Sequence, residues 1–349
     1  MANDTVILDP AHAHGEHADG HGEHAHMPFQ AHHFDDPEQQ FDAGKLGMWI
    51  FLVTEVLFFS GMFCAYSVYR SLHPEVWTFA SQFLNPMLGA VNTCVLLFSS
   101  LTMAWGVRCA QLRQRTGLII CLATTLGCAA MFLGIKAVEY THKWDMGLLP
   151  AGFYESQYLP SEHHHTGLSS WLVRLSVIPA ILTVSMAVWY LVTLVRGQKR
   201  HSEIAGPLLI TGLCYFLGAY IGITIQNLEA PDYAVSSHDS HVASIAGGAE
   251  HAVSSSLAEP ADRQPGDPTA EEIDQAGGAG LFFSIYYCMT GVHAIHILGG
   301  MVVLTWLLVR ATKDHFNEQY FGPVDYVGLY WHLVDLIWIY LFPLLYLIK

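Results

Sequence analysis

Seven stretches of the chain are apolar for long enough to cross a bilayer, and polar segments separate them. A hydrocarbon layer about 30 Å thick calls for roughly 20 apolar residues of helix. Runs of that kind lie near 45–70, 86–108, 116–141, 169–196, 205–228, 279–309 and 325–348. The pattern predicts an all-α integral membrane protein of about seven transmembrane helices. It divides the chain into a His-rich polar tail (1–44), three spans (45–142), a polar connection (143–168), a hairpin of two spans (169–228), an acidic connection (229–278) and a last pair of spans (279–349).

Charge distribution adds an orientation. Lys45 precedes the first span, and Arg108, Arg113, Arg115, Arg196, Lys199, Arg200, Arg310 and Lys313 fall in the connections after the second, fourth and sixth. Basic residues concentrate on the cytoplasmic side of membrane proteins, so the amino terminus is expected to be cytoplasmic and the carboxyl terminus external. The amino-terminal stretch is polar for more than forty residues, unlike a cleavable secretory peptide. The external connection 143–168 carries His163, His164 and His165 among aromatic residues such as Trp144 and Tyr158, a composition suited to the membrane interface.

Composition narrows the partners. Only 13% of residues are charged, against roughly 25% in ordinary soluble domains. The net charge of -15 arises mainly in two segments, since nineteen of the thirty acids lie before Lys45 or between Glu229 and Asp274. No basic stripe exists to neutralise phosphates, which excludes nucleic acid as a partner. The acidic connection has the composition of a chain unable to bury enough surface to fold, and so reads as a disordered external loop. The His-rich tail reads as a solvated tail, although such tracts also bind transition metals loosely. Seven cysteines lie inside or beside the apolar runs and form no C-x-x-C pair. Neither a disulfide framework nor a zinc site is indicated.

Ionisable side chains within a span are costly unless partnered, and each is a candidate functional residue. They are Glu55 on the first span, Lys136 and Glu139 near the outer end of the third, His293 and His296 on the sixth, and His332 and Asp335 on the seventh. Glu55 lies ten residues beyond Lys45 and Asp335 ten beyond Asp325, so the two carboxyls are expected at similar depth. The spacing predicts one polar cluster of Glu55, His293, His296, His332 and Asp335 uniting the first, sixth and seventh spans. Lys136 and Glu139, three apart, are expected to form a structural ion pair near the interface. His293 and His296 share a helical face but have only His332 as a partner on another span. That argues for polar helix–helix contact rather than metal or haem ligation. No nucleophile–base constellation, H-E-x-x-H or phosphate-cradling loop occurs, so no catalytic residue and no metal site are assigned to this chain.

Five blocks carry a resemblance: TEVLFFSGMFCAY around Glu55, VNTCVLL at Val91–Leu97, FLGIKAVEY ending at Tyr140, TGVHAIHILGG at Thr290–Gly300, and YWHLVDLIWIYLFPLLY from Tyr330. Together, and in this order, they resemble cytochrome c oxidase subunit III over residues 32–142 and about 280–349. The resemblance implies a non-catalytic subunit of a respiratory haem-copper oxidase in the bacterial inner membrane, next to a catalytic subunit I and a subunit II. It implies no cofactor bound by this chain, haem and copper in the partner subunits, and phospholipids held in a cleft. It also implies support of proton uptake and protection of the enzyme during turnover. Glu55 matches the family's intramembrane glutamate on the first core helix, and His293, His296, His332 and Asp335 match its histidines and aspartate on the last two. Seven-helix members carry their two additional spans before the five-helix core, whereas here the hairpin 169–228 and the acidic loop interrupt it.

Three alternatives remain open at this stage. Glu55, Asp335 and the histidines could serve an independent proton-coupled transporter. The same subunit family serves quinol oxidases, and a nitric-oxide-reductase-type complex is a third setting. Cytochrome c is a candidate partner for the acidic loop, by charge.

Overall fold

The computed structural model describes residues 34, 36–154, 170–229, 278–317 and 320–347. The His-rich tract of the tail, the three consecutive histidines at 163–165 and the acidic loop therefore lie outside the described residues. Eight α-helices are present among those described: α1 (Pro37–Leu72), α2 (Pro74–Ser81), α3 (Pro86–Gln111), α4 (Arg115–Asp145), α5 (Ser170–Val195), α6 (Lys199–Glu229), α7 (Ala279–Thr312) and α8 (Gly322–Phe342). A π-helical turn, Pro343–Leu347, continues α8. Seven of these helices are long and apolar enough to cross a membrane, which agrees with the seven spans read from the sequence. The short α2 was not expected, because eight residues cannot span a bilayer and its pattern carries no membrane signal.

Local chemistry sets where the helices start and stop. Proline occupies the first turn of α1, α2, α3 and α8, where its missing N–H costs nothing and its fixed φ suits a helix. Asn85 caps α3, its side chain accepting hydrogen bonds from the amides of Met87 (2.8 Å) and Leu88 (3.1 Å). Four helices end in the same closure, with a left-handed residue after the last turn. Gly147 (φ 73°) follows α4, Gly197 (φ 65°) follows α5, Arg113 (φ 56°) follows α3 and Asp314 (φ 56°) follows α7. In each, the amide one residue further on bonds back to the last turn: Leu148 to Lys143, Gln198 to Thr193, Gln114 to Cys109 and His315 to Arg310. This satisfies carbonyls that would otherwise face the interface unpaired.

α4 is the central rod, packed against α3, α6 and α7, while α8 packs against α3, α7 and α1. α5 rests on α6 and α4, and its outward face is apolar, with Ile178, Ile181 and Val184 exposed. That is expected where lipid is the solvent. The α4–α6 contact is close enough to need glycine. A Cβ on Gly134 would lie 2.1 Å from the Tyr215 carbonyl oxygen, and one on Gly218 would lie 2.2 Å from that of Met131. Backbone meets backbone there, so close packing of shape seats the hairpin α5–α6 on the bundle at this level.

Candidate functional site

The two outer rods of the expected cluster do run in register. Lys45 Nζ on α1 lies 3.4 Å from Asp325 Oδ2 on α8, and Tyr326 donates to the Phe41 carbonyl at 2.8 Å. From that anchor the depth argument places Glu55 and Asp335 at one level. They do not meet, however. Glu55 Oε2 lies 2.9 Å from His296 Nε2 on α7, with about a fifth of each side chain exposed. His296 Nδ1 sits 2.8 Å from the Val292 carbonyl. A carbonyl only accepts, so Nδ1 carries the hydrogen and Nε2 is left to face Glu55. The Glu55 carboxyl and His296 Nε2 thus form a direct polar contact between α1 and α7. Tyr330 of α8 closes the site by donating to the His296 carbonyl at 2.8 Å.

Asp335 turns away because of helical phase. It lies five residues after Tyr330, about 140° around α8 at 3.6 residues per turn. It therefore shares the buried face of Trp331 and Trp338. Its partner is α3, where Ser99 Oγ lies 3.4 Å from Asp335 Oδ2 and accepts from Trp331 Nε1 at 3.0 Å. His332 faces the same helix through Ser100, at 2.6 Å. His293 is fully buried and packs between the rings of Phe132 (5.6 Å) and Trp338 (5.2 Å). Among the described residues neither of its ring nitrogens has a hydrogen-bond partner. The single cluster predicted from burial cost is thus corrected to two sites and a histidine in an aromatic slot: Glu55–His296 between α1 and α7, and His332–Asp335 against α3. The serines of α3 could not be weighed from sequence, because hydroxyls are common in membrane helices and usually bond their own backbone.

Lys136 and Glu139 do pair, at 2.7 Å, and the pair is enclosed by protein. Glu139 is 1% exposed. Its carboxylate accepts from Lys136 through Oε2, and through Oε1 from Lys143 (2.9 Å), Tyr286 (2.8 Å) and Tyr346 (2.6 Å). Lys136 also donates to the Tyr346 hydroxyl at 2.5 Å and lies 4.5 Å above the Trp338 ring. Lys143 stands 5.2 Å from the Tyr286 ring centre. With all three ionised, this site holds one more positive than negative charge, and the ring faces offset part of that excess. Tyr66 of α1 fixes the same end of the bundle by donating to the Leu344 carbonyl in the π-helical turn. Lys143 was legible, since a glutamate four residues ahead of a lysine is the favoured order on a helix. Tyr286 and Tyr346 were not, being 147 and 207 residues from Glu139.

Among the described residues, a bundle of seven helices long and apolar enough to cross a membrane, with Glu55–His296 and the Glu139 network joining its rods, defines an integral, multi-pass membrane protein. The sequence profile described as Cytochrome c oxidase subunit III matches residues 29–165 and 275–349, more than half the chain. The chain belongs to that family. The match reaches further into the connection after α4 than the recognisable motifs do, and it omits all of α5 and α6. Among similar proteins, a probable cytochrome c oxidase subunit 3 of Mycobacterium leprae (strain TN) is 38% identical over 66 residues, 19% of this chain and 33% of that protein. The cytochrome c oxidase subunit 3 of Thermostichus vulcanus is 38% identical over 69 residues, 20% of this chain and 34% of that protein. A heme-copper oxidase subunit I+III of Aeropyrum pernix is 38% identical over 71 residues, 20% of this chain and 9% of that protein. The matched stretch thus spans about a third of the length of the two separate subunits and under a tenth of the fused one.

Proposed function

We propose that this chain is the non-catalytic subunit III of a haem-copper terminal oxidase in a bacterial cytoplasmic membrane, with its amino terminus cytoplasmic and its carboxyl terminus external. It stands beside subunit I, which with subunit II supplies haem and copper, and it sustains proton uptake and turnover stability while cytochrome c is oxidised. The observation that carries the reading is the joining of two family-matched segments by Glu55 and His296 at 2.9 Å. A carboxyl and an imidazole that meet at membrane depth offset part of each other's burial cost, and both are side chains able to exchange protons. The existence of a similar protein named as subunit I+III supports a subunit I neighbour for this chain.

The test is affinity purification of the full chain from its own membranes. Haem-bearing partners should come down with it, and Glu55→Gln should leave the initial oxygen-consumption rate within about twofold while shortening the number of turnovers before inactivation. A chain that purifies alone and moves protons in liposomes would replace this reading with a transporter. Loss of the first turnover in Glu55→Gln would make Glu55 a catalytic group instead.

A further inference from the structure

The end of the bundle that carries the basic connections holds a recess of about 360 Å³, lined by Arg115, Lys199, Arg200, Glu203, Thr312, Lys313 and Asp314. That volume falls within the range of small-ligand pockets, roughly 300–1,000 Å³. Three helices meet there: α4 begins at Arg115, α6 begins at Lys199 and α7 ends at Thr312. Arg115 is the tie among them, pairing with Glu203 and donating to the Thr312 carbonyl at 2.9 Å. Its Nε is buried and, among the described residues, has no acceptor. Lys199, Arg200 and Lys313 are exposed and make no ion pair among the described residues. Four cations thus face two carboxylates, one of which Arg115 already occupies. The recess has donors and positive charge to spare.

We propose that this recess binds the phosphate of an anionic phospholipid. Its cations lie at the ends of membrane-spanning helices, which is the level of lipid headgroups, and basic pockets of this kind between helices favour anionic lipid. A soluble phosphate would find the same charge, but the surroundings favour a lipid. Two turns along α6, on the face that carries Glu203, Ile210 is exposed and offers an apolar shelf for an acyl chain. Lys199, Arg200 and Glu203 lie outside the family-matched segments, so the site belongs to the α5–α6 hairpin and to its junction with α4 and α7. Lipid there would clamp the hairpin to the bundle at the end opposite the Glu139 network. The inference needs only a chain that spans a bilayer and does not rest on the identity of its partners.

The test uses the protein purified in whatever complex it forms, stripped with detergent and returned to nanodiscs of phosphatidylcholine doped with phosphatidylglycerol or cardiolipin. Lipid retained after a second purification is counted by mass spectrometry. The triple change Lys199→Ala, Arg200→Ala and Lys313→Ala should weaken anionic-lipid retention by about a hundredfold, at about fivefold per charge removed. Retained phosphatidylcholine should not change. Lys199→Arg with Lys313→Arg should keep wild-type retention, and each single alanine change provides a reading if the triple variant fails to accumulate. Equal anionic retention in the wild type and the alanine variants would overturn the proposal. So would binding of inorganic phosphate that the variants lose while their lipid retention stays unchanged, because the recess would then be a soluble-anion site. Oxygen consumption plays no part in the readout, so failure here leaves the oxidase reading standing.

Discussion

Glu55 and His296 meet with about a fifth of each side chain exposed, whereas Glu139 is 1% exposed and held by two lysines and two tyrosines. The first site joins one carboxyl to one imidazole at a partly exposed edge of the bundle. The second is fixed by four hydrogen bonds to one carboxylate, and with both lysines ionised its surplus positive charge faces the Trp338 and Tyr286 rings. Burial therefore separates a partly exposed contact between two helices from an enclosed network that ties α4 to α7 and the π-helical turn. Removing a member of the second should damage the fold, and removing a member of the first should damage only what the fold does.

The largest expected effect comes from Glu139→Ala, which would leave Lys136 and Lys143 buried without their anion. Losing one partner of a buried ion pair costs about 3–5 kcal/mol. Thermal unfolding in detergent should show a lower midpoint, or the protein should fail to accumulate in the membrane. Tyr346→Phe removes two hydrogen bonds to charged groups and keeps the ring, so a loss of about 2 kcal/mol is expected in the same assay. Glu55→Gln retains a group able to bond His296 and should shift stability by less than about 1 kcal/mol. An effect as large as that of Glu139→Ala would erase the distinction between the sites. Lys143→Met sharpens it from the other side. It removes the surplus charge while keeping an apolar stem of similar length, and should be neutral within about 1 kcal/mol, or stabilising. If it proved as damaging as Glu139→Ala, the surplus charge would be an essential part of the network.

The seven spans were legible because a bilayer imposes a length and a polarity on each one. Their ends were less so. α1 starts at Pro37 and α6 at Lys199, outside the apolar runs, because helices continue beyond the hydrocarbon until a cap or a left-handed residue stops them. Within the site, depth could be read from the sequence and azimuth could not. Counting from Lys45 and Asp325 placed Glu55 and Asp335 at one level, but the rotation of α8 is set by Tyr326 and Tyr330 packing toward α1 and α7. That rotation carries Asp335 toward α3. The α4–α6 contact was hidden for a similar reason. A glycine in an apolar run gives no sign of whether a neighbouring backbone or only lipid lies against it, and Gly134 and Gly218 declare themselves only once the helices are side by side.

The carboxylate of Glu139 enters the bilayer long before its last partner is made, since Tyr346 follows it by 207 residues. Throughout the synthesis of the second half of the chain, the half-built bundle therefore holds a pair of lysines and a glutamate with part of their hydrogen bonding missing. A ribosome that stops early, or a nonsense codon anywhere in the final helix, releases a polypeptide whose interior charge was never closed. Such a product differs from the finished protein inside the bundle as well as at its tip, because the buried Glu139 carboxylate lacks one of its donors.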